Sequence, residues 1–226
     1  MYRPFESFES FQITGNFISV IGSGGKTTFL RALSEHLPGR VILTTSTHIF
    51  PFPDIPLVDT AACPDIISAI RRSLEENRVI CLGERLPSGK LGDPSGRVPF
   101  EALLSEAAYV IVEADGAASH PLKAHRSHEP VIPSCTTMTV CLAGASGIGK
   151  SVREACHCPE LFASLAGISM DDLVTPEAAA RVLNQEDLAD SYLVNQADLL
   201  ENRQIGLRLC DLIRKDAYLC SLKRPK

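Results

Sequence analysis

Gly22-Ser23-Gly24-Gly25-Lys26-Thr27-Thr28 is the stretch whose residue types and spacing are best suited to chemistry. Glycines let backbone N–H groups turn toward an anion, a helix N-terminus adds partial positive charge, and a lysine closing the turn can reach terminal phosphates. The Thr27 hydroxyl would then sit on Mg²⁺. The spelling is the short GxxGK[ST]T form, because Val20 stands where the full GxxxxGK[ST] pattern needs its first glycine. A second cluster closes the apolar run YVIVEADGA: Glu113 and Asp115, two residues apart and hence on one side of an extended chain. Beside a phosphate loop, one carboxylate would hold Mg²⁺ directly or through water and the other would orient an attacking water. The sequence does not rank the two. Thr47, in the hydroxyl-rich Thr44-Thr45-Ser46-Thr47-His48, is a further candidate metal ligand.

Asn195-Gln196-Ala197-Asp198 is similar to the NKxD element of GTP-binding proteins. Its aspartate would match guanine's ring N–H and amino group, and leaving such a carboxylate unpaired costs about 1–3 kcal/mol. Gln196 replaces the usual lysine, so ATP and GTP both stay open. Gly144 to Ser151 matches the full GxxxxGK[ST] spelling, yet a helix from Lys150 would meet Pro159, and an internal proline costs about 3 kcal/mol. Little chain follows to supply metal and base elements, so Lys26 is expected to hold the phosphates and the second loop to be coincidental or auxiliary. Lys123 and Glu129, in a segment that also holds His125, Arg126 and His128, are candidate contacts to a substrate or partner, with Lys90 on a nearby loop closing over it. His120, His125 and His128 with Cys156-His157-Cys158 match no standard zinc spacing.

The elements that must position these groups follow from the apolar pattern. Residues 17–21 read as a buried strand, followed by a helix with Leu30, Leu33 and Leu37 on one face. Further strands are expected over 40–50, 78–84, 109–117, 137–143 and 192–198, with a terminal strand over YLCSL. Helices are expected over 63–77, 98–107 and 199–216, in two pieces within 159–190 with Thr175 capping the second, and as a cover over 3–12 carrying Phe5, Phe8 and Phe11. Residues 84–97 should form an exposed loop. Near-continuously apolar strands alternating with helices predict a three-layer P-loop NTPase-like α/β fold, mostly parallel, with helices on both faces. One domain over 1–226 is expected, with a helical insertion around 152–190.

Composition excludes several classes. The chain has 226 residues, 45% apolar and 22% charged, enough for a sizeable core. A net charge of −5 with no basic run before the C-terminal tail argues against nucleic acid. No apolar stretch is long enough to span a membrane and the N-terminus lacks a signal-peptide core, so a cytoplasmic protein is expected. Eight cysteines include no CxxC pair, which argues against a disulfide framework.

Taken in order, GSGGKTT, TTSTHI, KLG, VEADGA, PLKAH, HEPVIP and NQAD resemble the YqeC-like accessory proteins of selenium-dependent molybdenum hydroxylases. The resemblance implies a P-loop nucleotide-binding protein that assists maturation of such a hydroxylase or its cofactor. The expected activity is Mg²⁺-dependent binding and hydrolysis of ATP or GTP. The alternatives are a non-enzymatic, nucleotide-gated switch for a partner, or a nucleotidyl or phosphoryl transferase acting on a small acceptor.

Overall fold

The computed structural model describes residues 3–4 and 11–222. Its strands are β1 (Arg3–Pro4), β2 (Phe17–Gly22), β3 (Val41–Thr45), β4 (His48–Ile49), β5 (Leu57–Asp59), β6 (Val79–Arg85), β7 (Leu91–Gly92), β8 (Tyr109–Glu113), β9 (Leu122–Lys123), β10 (Met138–Gly144), β11 (Cys156–His157), β12 (Ser191–Asn195) and β13 (Asp216–Leu219). Its helices are α1 (Lys26–His36), α2 (Ile66–Glu76), α3 (Phe100–Leu103), α4 (Val152–Ala155), α5 (Pro159–Ala166), α6 (Pro176–Glu186) and α7 (Leu200–Leu212).

The main sheet runs β1-β13-β12-β10-β2-β8-β3-β6-β7-β4, with β5 also paired to β6. Every pairing from β1 to β6 is parallel, and only the short β4–β7–β6 corner is antiparallel. The period of two along β2 divides the core. Ile18 and Val20 pack with Phe29, Leu30 and Leu33 of α1, whereas Phe17 packs with Ile66, Ile70 and Leu74 of α2. Ile21, on the same face as Phe17, joins the cluster built from α5, α6 and α7. Helices therefore cover both faces of a mostly parallel sheet. From β2 the chain passes over β8 to β3, and it later returns to β10 on the other side of β2. That reversal makes the C-terminal edge of β2 a crevice where ligands of α/β sheets collect.

Several expected elements come out shorter or different. The strand over 40–50 breaks after Thr45, and His48–Ile49 pair antiparallel with Leu91–Gly92. Leu91 is fully buried, so the loop over 84–97 is anchored at its middle and not exposed throughout. The helix over 98–107 shrinks to Phe100–Leu103, and Leu57–Asp59 form an unforeseen strand. The second insertion helix starts as its cap signals indicate, with Thr175 accepting from the Ala178 N–H and Pro176 in the first turn. The expected covering helix over 3–12 lies mostly outside the described residues; Arg3–Pro4 form a strand, and Phe11 packs edge-on against Phe29 and Tyr218. Among the described residues no helix is long and apolar enough to cross a membrane.

Candidate functional site

The turn after β2 is the centre of the site. Gly24 has φ +90° and Gly25 φ +120°; a Cβ on Gly24 would lie 2.5 Å from the Gly144 nitrogen. Only glycine lets the turn lie this close to the chain leaving β10. Helix α1 begins at Lys26 with no side-chain cap and no acidic residue in its first turn. Its first amides are therefore free to face an anion, and the helix dipole favours one there. A cavity of about 470 Å³ opens at this point, lined among others by Gly24, Gly25, Lys26, Thr27, Thr28 and Glu113.

Lys26 is nearly buried. Its ammonium donates to the Gly22 carbonyl at 2.7 Å and pairs with Asp115 Oδ1 at 2.9 Å, with Glu113 Oε1 at 3.8 Å. The two acids that the sequence left unranked have different environments. Asp115 is fully buried, and its Oδ2 accepts from the Gly22 N–H at 2.8 Å and also faces Lys123 Nζ at 3.2 Å and His125 Nε2 at 2.8 Å. Burial alone would raise its pKa, but the hydrogen bond from His125 and the Lys26 and Lys123 charges outweigh it and hold the carboxyl down at about 2. Asp115 is thus a fixed anion under the loop and does not line the cavity. Glu113 does line it, its Oε2 is buried without a hydrogen-bond partner, and burial pushes its carboxyl up to about 7 against the opposing charge of Lys26. A weaker interaction with the Thr27 side chain also opposes that rise, which places its hydroxyl near the same carboxylate. A pair of oxygen donors with one unmet, buried lone pair suits a hard divalent cation.

Other expected site residues separate into distinct places. Thr47 lines not this cavity but an adjoining one of about 640 Å³, along with Ser46, Glu84, Asp93, His128 and Glu129. Lys90 borders both cavities and lies 5.1 Å over the ring of Phe50, which is 63% exposed at the mouth of the first. Lys123 corrects the expectation of a substrate contact: its side chain is fully buried, donates to the Gly116 carbonyl and pairs with Asp115 and with Glu129 at 3.1 Å. It balances carboxylates and lines neither cavity. Asn195 is also buried; its Nδ2 donates to the Gly24 carbonyl at 2.8 Å and its Oδ1 accepts from the Leu222 N–H. It braces the glycine turn from β12. Asp198 is exposed and accepts a hydrogen bond from Ser221, while Gln196, at φ +67°, lines the cavity.

Sequence reasoning placed His125 only in the segment beyond Asp115 and missed its partner Glu186. His125 Nδ1 lies 2.9 Å from Glu186 Oε2, and the His125 N–H donates to Glu186 Oε1 at 2.6 Å. Burial opposes protonation of His125, but hydrogen bonds to Asp115 and Glu186 prevail and raise its pKa. Helix α6 is thereby linked to the glycine turn through Glu186, His125 and Asp115. A polar residue closing an otherwise apolar-faced helix was the one available signal.

Residues 18–160 match the profile of the YqeC protein family. Over 164 residues, 68% of the chain, it is 34% identical to a protein of Escherichia coli (strain K12) described as uncharacterized protein YqeC. The chain belongs to the YqeC family. The alignment spans 62% of that relative's own length. No solved structure matches. The family match takes in the glycine turn, Glu113, Asp115, Lys123, His125 and Glu129, and ends before Glu186 and Asn195.

Proposed function

We propose that this member of the YqeC family binds a nucleoside triphosphate with Mg²⁺ at the turn after β2 and hydrolyses it, as a P-loop NTPase-like protein. The observation that carries this reading is the junction of an uncapped helix start, a lysine and a partner-lacking carboxylate on one cavity wall. A volume of about 470 Å³ lies within the ordinary range of small-ligand sites. The phosphates would take the α1 amides and draw the Lys26 ammonium from Gly22 and Asp115, both already within its reach. Thr27 and Glu113 would hold Mg²⁺, which would neutralise charge on the phosphoryl oxygens. Without the ion, burial raises the Glu113 carboxyl to about 7, so a proton and Mg²⁺ would compete for it. Asp115 keeps the role of a fixed anion that sets the resting position of Lys26.

The phosphate groups make no demand on the base, and both ATP and GTP fit this reading. Asp198 stays the candidate guanine contact, held by Ser221. A second reading, a nucleotide-gated switch, is favoured by one observation: the anion that Lys26 would leave is tied to α6 through His125 and Glu186. We further propose that the nucleotide serves maturation of a selenium-dependent molybdenum hydroxylase or its cofactor, a role supported by family resemblance.

The test is calorimetric titration of ATP and GTP with Mg²⁺ into the wild type and Lys26→Ala, followed by phosphate release. Wild-type binding lost in Lys26→Ala is expected. Equal binding and turnover in the two proteins would sink the proposal, and tight binding without turnover would select the switch.

A further inference from the structure

A group of sulfur, nitrogen and oxygen donors stands apart from the glycine turn. Strand β9 pairs with β11 in parallel register, His157 beside Lys123 and Cys156 beside Leu122, and the Ala124 N–H donates to the His157 carbonyl. This two-stranded sheet brings His157 and Cys158 to the end of the segment that holds Glu129. One carboxylate oxygen of Glu129, one ring nitrogen of His157 and the Cys158 sulfur all lie within 4.8 Å of one another. Cys158 is buried and unoxidised, and its backbone sits in the left-handed region at φ +59°. A cysteine there, held in a conformation that disfavours L side chains, is directed toward the two other donors by the turn into α5.

We infer that Glu129, His157 and Cys158 form a site for a borderline-soft divalent cation of the zinc type. Sulfur, imidazole nitrogen and carboxylate oxygen together fit such an ion, whereas Mg²⁺ takes oxygen ligands. Bonds of about 2.0–2.3 Å put tetrahedral donors roughly 3.5 Å apart, so the three need to close by at most about an ångström. That is within the reach of a side-chain rotation. Lys123, 3.1 Å from Glu129, would remain as the outer partner that orients the carboxylate. Three protein ligands leave a fourth position, and Glu129 also lines the 640 Å³ cavity, which gives an ion there access to solvent and small ligands. The three donors share no residue with the glycine turn, and Lys123 is the one link between Glu129 and Asp115.

The probe is Co²⁺, titrated into the full reduced chain in excess Mg²⁺, which occupies all-oxygen sites. One equivalent should bind with a thiolate-to-cobalt charge-transfer band in the near ultraviolet, and Zn²⁺ should displace it. Cys158→Ser should abolish the band, and His157→Ala and Glu129→Gln should each weaken binding by at least the ~10–100-fold that even outer-sphere changes cost. Cys63→Ser and Cys135→Ser, at the two partly exposed thiols, should change nothing. Circular dichroism checks that each variant is folded, and the three ligand variants are read separately so that one misfolded protein does not decide the result. Absence of the band in wild type, or its survival in Cys158→Ser, overturns the site.

Discussion

Two glycine–lysine loops follow neighbouring strands of one sheet, the first after β2 and the second after β10. The second has the fuller phosphate-loop spelling, yet its backbone is already committed. The Gly149 N–H donates to the Val174 carbonyl, the Val152 N–H to Asp172 and the Arg153 N–H to Met170, while Val174 donates back to Lys150. Ser151 spends its hydroxyl on Glu154, the helix behind it has four residues, and Lys150 is exposed outside both cavities. The first loop keeps its helix start uncapped, backs it with eleven residues and turns it into a cavity. What separates an anion site from its imitation is whether donors remain unspent, which a motif does not encode.

The largest test of that contrast pairs two lysines. Lys26→Ala should lower turnover by about 10²–10³-fold, as losing one transition-state donor typically does. Lys150→Ala should stay within about two-fold, as exposed substitutions do. Assaying phosphate release for both breaks the comparison if Lys150→Ala is the damaging one. Two glycines come next. Gly24→Ala puts a Cβ 2.5 Å from backbone at φ +90° and should cost on the order of 2 kcal/mol or more. Gly149→Ala meets nothing within 4 Å, so its φ of +83° leaves a cost of about 1 kcal/mol. Denaturant midpoints measured side by side would rank them.

Protonation sharpens the contrast further. Glu113 titrates near 7 when folded, from an ordinary 4.5, so the folded chain holds a proton that the unfolded chain releases earlier. Its contribution to stability therefore declines as pH rises from about 4.5 through 7, by on the order of 1–3 kcal/mol in all. Glu113→Gln should melt above wild type at pH 8, with the gap closing by pH 5. Mg²⁺-dependent nucleotide binding should weaken below pH 7 in wild type, and this dependence should be lost in the variant. A base-specific effect is expected at Asp198→Ala: about ten-fold weaker GTP binding with ATP unchanged, the size of one lost hydrogen bond to a charged group. Equal losses for both nucleotides would remove the guanine assignment.

Much of this was legible in the chain. Apolar runs around Phe17–Ile21 and Tyr109–Glu113 identified strands of a parallel sheet, and Gly-Gly-Lys-Thr-Thr marked its switch point. Glu113 and Asp115 could be paired but not ranked, because the difference comes from Lys123, His125 and Gly22, which only tertiary folding assembles around Asp115. Lys123 looked like a reaching surface cation since nothing local reveals burial by two carboxylates. Asn195 carried a base-motif spelling, but its amide is used to hold Gly24. The strand Leu57–Asp59 escaped notice because prolines before it suggest a loop, and the β9–β11 pairing because two-residue strands carry no period.

The chain Gly22–Asp115–His125–Glu186 has a kinetic consequence. The Gly22 amide is bound to Asp115, and the His125 amide to Glu186, with the His125 ring between the two carboxylates. Neither amide can open to solvent without disturbing ions that the other depends on. In hydrogen–deuterium exchange they should behave as one cooperative unit with a shared opening free energy, although one sits in the glycine turn and the other reports on α6. A ligand that draws Lys26 from Asp115 would then change exchange at the Gly22 and His125 amides together.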